Sequence, residues 1–199
     1  MKRLFAIAIS ALILTTSVNA VSYNSDPKIF ITELVGDAIK ILSDKKITKE
    51  EKSQQIEKIA IENVDINALG MYTLGDIRKT LDVEKLNTYK KLFEKYFLKS
   101  LTSRLKDYSE NKFEVIVAEQ KSSSYTIVKS KILENSEQPE IKIDWRVFTK
   151  DPLKPLIRDL VVEGLSLART QKEEFASILN SNNNDINFLF KKLRDFTSE

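Results

Sequence analysis

Ile141-Lys142-Ile143-Asp144-Trp145-Arg146-Val147 alternates apolar and charged side chains at every step. Successive side chains of a strand point to opposite faces, so Ile141, Ile143, Trp145 and Val147 share one face while Lys142, Asp144 and Arg146 share the other. A strand with one buried and one wet face is the reading this pattern dictates. The same period continues on both sides of it. Phe113, Val115 and Val117 alternate with charged or outward positions, and Tyr125, Ile127 and Lys129 oppose Thr126, Val128, Ser130 and Ile132. A fourth run spans 156–167, with a bulge or bend expected at Gly164. The segments between these runs, 134–139 and 149–155, are short and rich in turn residues. They imply an antiparallel meander, because parallel pairing needs long crossovers.

Before Asn111 the period is nearer 3.6. Asp26-Pro27 reads as an N-cap followed by proline at the first helical position, with Phe30, Leu34, Ala38, Ile41 and Leu42 on one face of a helix over 27–43. Thr48 and Glu51 have the spacing of a capping box, opening a second helix to Asn63 with Ile56, Ile59 and Ala60 as its stripe. Asp65 caps a third, short helix through Ile66 and Leu69, bent near Gly70 and Gly75. Asp82 opens the longest helix, in which Leu86, Tyr89, Phe93, Tyr96, Phe97, Leu101, Leu105 and Tyr108 recur every three or four residues. Two helices follow the sheet, one through Phe175, Ile178 and Leu179 and one through Ile186, Leu189, Phe190 and Leu193, joined by a polar loop at 180–184. The class is α+β, with several helices packed on one face of a four-stranded antiparallel sheet.

The chain opens on Met1-Lys2-Arg3, an apolar run from Leu4 to Leu14 and Val18-Asn19-Ala20, the pattern of a secretory signal with a small-residue cleavage site after Ala20. The apolar run falls well short of the roughly 18 residues a membrane span requires. The expected domain organisation is therefore a signal peptide over 1–20 and one domain over 21–199, exported and released as a soluble protein. With no Cys there is no site for lipid attachment and no disulfide framework. With no His the commonest general base and the commonest metal ligand are both missing, so no catalytic residue, metal site or cofactor is expected. The net charge of +3 includes Lys2 and Arg3 of the leader, and the remaining +1 points away from nucleic acid.

Val64-Asp65-Ile66, Leu69-Gly70, Arg78, Leu105-Lys106-Asp107-Tyr108 and the run from Asp159 to Leu167, in this order behind the leader, resemble the MlaC-like (toluene-tolerance) family of periplasmic phospholipid-binding proteins of the Mla lipid-transport pathway. Val64-Asp65-Ile66, Leu69-Gly70 and Arg78 are similar to the family's Phe-Asp, Leu-Gly and Trp-Arg elements, and Leu105-Lys106-Asp107-Tyr108 to the end of its long helix. Asp159-Leu160-Val161-Val162-Glu163-Gly164-Leu165-Ser166-Leu167 is similar to its Asp-hydrophobic-Glu-Gly-Val-Ser segment. Ile77 replaces the usual Trp before Arg78, and Pro155-Leu156 the usual Gly-x-Trp entry to the last strand. The resemblance implies a periplasmic, non-enzymatic carrier with phospholipid as its cargo, held in an apolar cavity between sheet and helices. It implies exchange with an outer-membrane lipoprotein-porin complex and with an inner-membrane ABC transporter complex containing a hexameric substrate-binding component. The lipid-binding set it implies is Leu69, Leu74, Phe93, Phe97, Leu101, Val115, Val117, Ile127, Ile143, Trp145, Val147 and Leu165.

Periodicity alone assigns the same side chains to an ordinary core, since any packed helix or sheet shows such stripes. Two rival functions stand beside the carrier. Asp159 and Glu163 could form the carboxylate pair of a glycan hydrolase, although a turn contact or a pairing with Arg158 or Arg169 is the plainer role for them. An apolar surface could instead serve a protein-binding adaptor or chaperone. Arg78, Arg146, Arg158 and Arg169 are candidates for a headgroup phosphate or for surface ion pairs. Lys45-Lys46 and Lys90-Lys91 read as solvated faces.

Overall fold

The computed structural model describes residues 23–105, 112–134, 136 and 139–198. The expected signal peptide lies outside the described residues, as does the segment 106–108 expected to finish the long helix. Six helices, α1 (Pro27–Ser43), α2 (Lys49–Asn63), α3 (Ile66–Thr73), α4 (Val83–Leu105), α5 (Leu167–Asn180) and α6 (Ile186–Ser198), frame five strands. The strands are β1 (Phe113–Ser122), β2 (Tyr125–Ile132), β3 (Ile141–Phe148), β4 (Leu156–Val162) and β5 (Leu165–Ser166).

The helix starts follow from their caps. Asp26 accepts from the amides of Lys28 and Ile29, Thr48 and Glu51 close a reciprocal capping box, and Asp65 accepts from the amide of Ala68. Each bond satisfies a donor that the first helical turn leaves open. The bend after α3 is made by Gly75 at φ +66°, followed by a 3-10 turn over Gly75–Lys79. Arg78 clamps it by donating to the carbonyls of Met71 and Gly75.

The sheet is an antiparallel meander in the order β1-β2-β3-β4-β5. It has five strands where four were expected. The fourth run is broken by Glu163 (φ 48°) and Gly164 (φ 81°), two consecutive positive-φ residues that make a tight reversal rather than a bend within one strand. Leu165 and Ser166 return beside Val162 and Val161 as β5. Ser166 then caps α5 by accepting from the amide of Arg169.

One face of the sheet is wet. There Glu119 bonds Lys121 and Lys129, which hold its carboxyl down at about 2, and Lys131 reaches Glu140. The other face packs on helices. Two apolar clusters result. In the first, Phe30 and Ile31 of α1 lie on Val128, Trp145, Val147 and Ile157 of the sheet. In the second, Tyr89 and Phe93 of α4 meet Phe175 of α5 and Leu189 and Leu193 of α6. Two polar side chains deep inside the clusters are paired, as burial favours. The Trp145 indole donates to Ser130 at 2.8 Å, and the Tyr89 hydroxyl bonds Thr73 at 2.9 Å. Burial pushes the Tyr89 phenol well above the usual tyrosine range, so it stays neutral.

Candidate functional site

Between the two clusters the packing opens into a cavity of about 250 Å³. Its walls are overwhelmingly apolar. Leu34, Val35 and Ala38 come from α1, Ile56, Ile59 and Ala60 from α2, Phe97 and Leu101 from α4, and Trp145, Ile157 and Leu160 from the sheet. Ser100, Arg104, Arg158, Asp159, Thr170, Gln171 and Glu174, with the Thr73 and Tyr96 hydroxyls, contribute the polar part of the lining.

Rigid packing keeps the walls apart. Along α4 the rings of Tyr89, Phe93 and Phe97 stack at four-residue spacing, with centroids 5.8 and 6.3 Å apart. Phe175 meets Tyr89 and Phe93 edge-on, a geometry the ring quadrupoles favour. Phe93 rests on Gly70, where a β-carbon would come within 2.8 Å of its ring. Only glycine permits that approach of α3 to α4.

A second anchor ties the helices to the sheet. The Asp65 amide donates to the Ile157 carbonyl at 2.9 Å, and Arg158 donates twice to the Asp65 carboxylate, at 2.9 and 2.8 Å. The Arg158 guanidinium also stacks on Phe148, 3.4 Å from the ring centroid. The α2–α3 junction is thus pinned to β4 at the cavity wall.

Of the twelve residues expected to line a lipid site, Leu69, Phe93, Phe97, Leu101 and Trp145 line this cavity. The other seven lie elsewhere. Val147 is fully buried in the cluster between α1 and the sheet, with Val115 and Ile143 packed against it. Leu74 is buried in the helical cluster. Val117 lies on the outer face because a bulge between Val115 and Val117 gives the inward position to Ala118, which packs on the inner cluster. Ile127 alternates with the fully buried Val128 and therefore also faces outward. Leu165 opens β5 directly after the reversal and is 69% exposed. The wall formed by α1 and α2 is absent from the expected set. Leu34, Ala38, Ile56, Ile59 and Ala60 are visible in the sequence as apolar stripes, but stripes do not say whether the space they face is filled.

Asp159 and Glu163 are each committed to structural partners. Asp159 is buried and accepts from Arg146 at 3.1 Å, from the Ser166 hydroxyl at 2.6 Å and from the Ala168 amide at 3.0 Å. Its arginine partner is Arg146 rather than Arg158 or Arg169, because an irregularity in the β3–β4 register sets Asp159 opposite Arg146. Glu163 accepts from the Lys142 amide across the neighbouring strand. Among the described residues no group of three or more carboxylate, His or Cys side chains gathers as a metal site. No described helix is long and apolar enough to cross a membrane.

A search of curated protein sequences returns no match. Among solved structures, the fold matches a phospholipid-binding protein from Ralstonia solanacearum determined in complex with a phospholipid, with a TM-score of 0.71. The two share 17% sequence identity, and the match covers 84% of this chain and 94% of that one. The family model described as MlaC protein matches residues 32–195. With its α+β fold and an apolar cavity between two clusters, this chain belongs to the MlaC family.

Proposed function

We propose that this chain is a non-enzymatic phospholipid carrier of the periplasm. In this reading it is exported by its leader, begins at Val21 as one lipid-binding domain, and exchanges lipid with an outer-membrane lipoprotein-porin complex and an inner-membrane ABC transporter complex with a hexameric substrate-binding component. The observation that carries the reading is the apolar cavity held between two separately packed clusters, where a core without a ligand task would be filled. The physical task suits it. The two tails of a phospholipid hold roughly 30 methylenes, and each prefers an apolar site to water by about 0.8 kcal/mol, so crossing an aqueous space unaided is prohibitively slow. Phe97, Leu101, Leu69 and Trp145 contact the tails in this reading, together with the walls from α1 and α2, while the polar lining leaves the headgroup wet. The commitment of Asp159 and Glu163 to backbone and side-chain partners favours the carrier over a carboxylate hydrolase.

Transfer between vesicles tests the proposal. The mature chain, mixed with donor vesicles containing a fluorescent phosphatidylglycerol and with unlabelled acceptors, is expected to raise the transfer rate at least tenfold over the spontaneous rate. Unchanged transfer by folded protein would count against it.

A further inference from the structure

The cavity has a neighbour. A groove of about 360 Å³ lies between α4, α5 and α6, with Phe175, Ile178, Leu193 and Phe196 as its apolar lining. Tyr96, Gln171 and Glu174 line both spaces. They are joined to one another: the Tyr96 hydroxyl donates to Gln171 Oε1 at 2.7 Å, and Gln171 Nε2 donates to Glu174 at 2.9 Å. The Tyr96 ring continues the partition, packing on Phe196 at 4.9 Å and on Phe175 at 5.7 Å. Burial, with Glu174 nearby, pushes the Tyr96 phenol up, so the hydroxyl remains a donor.

Building on the carrier reading, we infer that Tyr96 and Gln171 form a septum between two acyl-chain compartments and thereby set the chain length this protein holds. At about 250 Å³ the first cavity is below the roughly 300–1,000 Å³ usual for pockets that enclose drug-sized ligands, and a diacyl lipid is larger than those. The groove beyond the septum adjoins the first cavity through the shared side chains and adds Phe175, Ile178, Leu193 and Phe196 as apolar wall beside its polar lining. Lys192 and Asp195, both exposed, also line this groove and add charge to its wall.

The test uses the mature chain, delipidated and offered phosphatidylglycerols graded from dilauroyl to dioleoyl, with bound lipid read by native mass spectrometry. Tyr96→Ala and Gln171→Ala are expected to shift retention toward the longer chains, by about fourfold for each additional methylene housed. Gln171→Ala removes no ring packing, so it decides the matter if Tyr96→Ala fails to fold. A chain-length profile identical to wild type in a folded Gln171→Ala variant would overturn the septum and leave the carrier reading standing. A wild-type chain that takes up none of the lipids would overturn the carrier reading, and the septum with it.

Discussion

Val147→Asp is expected to unfold the protein, whereas the same charge at Leu101 is expected to leave it folded and deprived of lipid. Both side chains are apolar and both belong to regular stripes, so composition does not separate them. Their surroundings do. Val147 has no exposed surface and packs among Phe30, Ile31 and Val128. A carboxylate there has no partner and no water, and its burial costs on the order of 4 kcal/mol or more, a large part of the roughly 5–15 kcal/mol that stabilises a domain. Leu101 faces the cavity beside Ser100 and Arg104 and keeps part of its surface open. The loss there is mainly the transfer free energy of one leucine, about 2 kcal/mol, while the charge spoils the apolar path of a tail. Melting temperature and extracted phospholipid, measured on the same preparations, separate the two effects. Unfolding of both variants, or lipid retained by a folded Leu101→Asp, would contradict this division of core from cavity.

Asp159→Ala is expected to cost about 3 kcal/mol, lowering Tm by roughly 6–12 °C for a chain of this size. The carboxylate is buried and gathers three donors: Arg146 from β3, Ser166 from β5 and the Ala168 amide at the start of α5. Its negative charge also sits at the N-terminal end of α5, where the helix dipole favours an anion. Removing it leaves the Ala168 amide without its partner, takes the acceptor from the Ser166 hydroxyl and loosens α5 from the sheet. Arg146 is about two-fifths exposed, so its loss of a partner adds little. Phospholipid per folded molecule is expected to stay near wild type. A glycan-hydrolysing activity abolished by Asp159→Asn at intact fold would instead establish the hydrolase.

Local chemistry was the most legible part of this chain. The helix starts at Asp26, Thr48 and Asp65 could be read directly, because a capping side chain and the amide it serves lie within three residues of each other. The alternation through β3 identified its buried face correctly, since the pleat leaves no other choice. Legibility ended where two strands must be compared. The bulge beside Val117 and the register irregularity opposite Asp159 each move a side chain to a new neighbour without any change in local pattern. The cavity is harder still. Phe97 and Val147 carry the same signature of inward-facing apolar residues, yet one borders open space and the other is packed solid. Whether the space between α1, α2 and the sheet is filled depends on how far Asp65 and Arg158 pin the helices from β4, and no single segment encodes that distance.

Whether the cavity carries a phospholipid is read by purifying the mature protein from the periplasm without detergent, extracting it with organic solvent and quantifying lipid against protein by mass spectrometry. About one diacyl phospholipid per chain is the expected result. Folded protein that yields no phospholipid, and acquires none when incubated with phosphatidylglycerol vesicles, would contradict it.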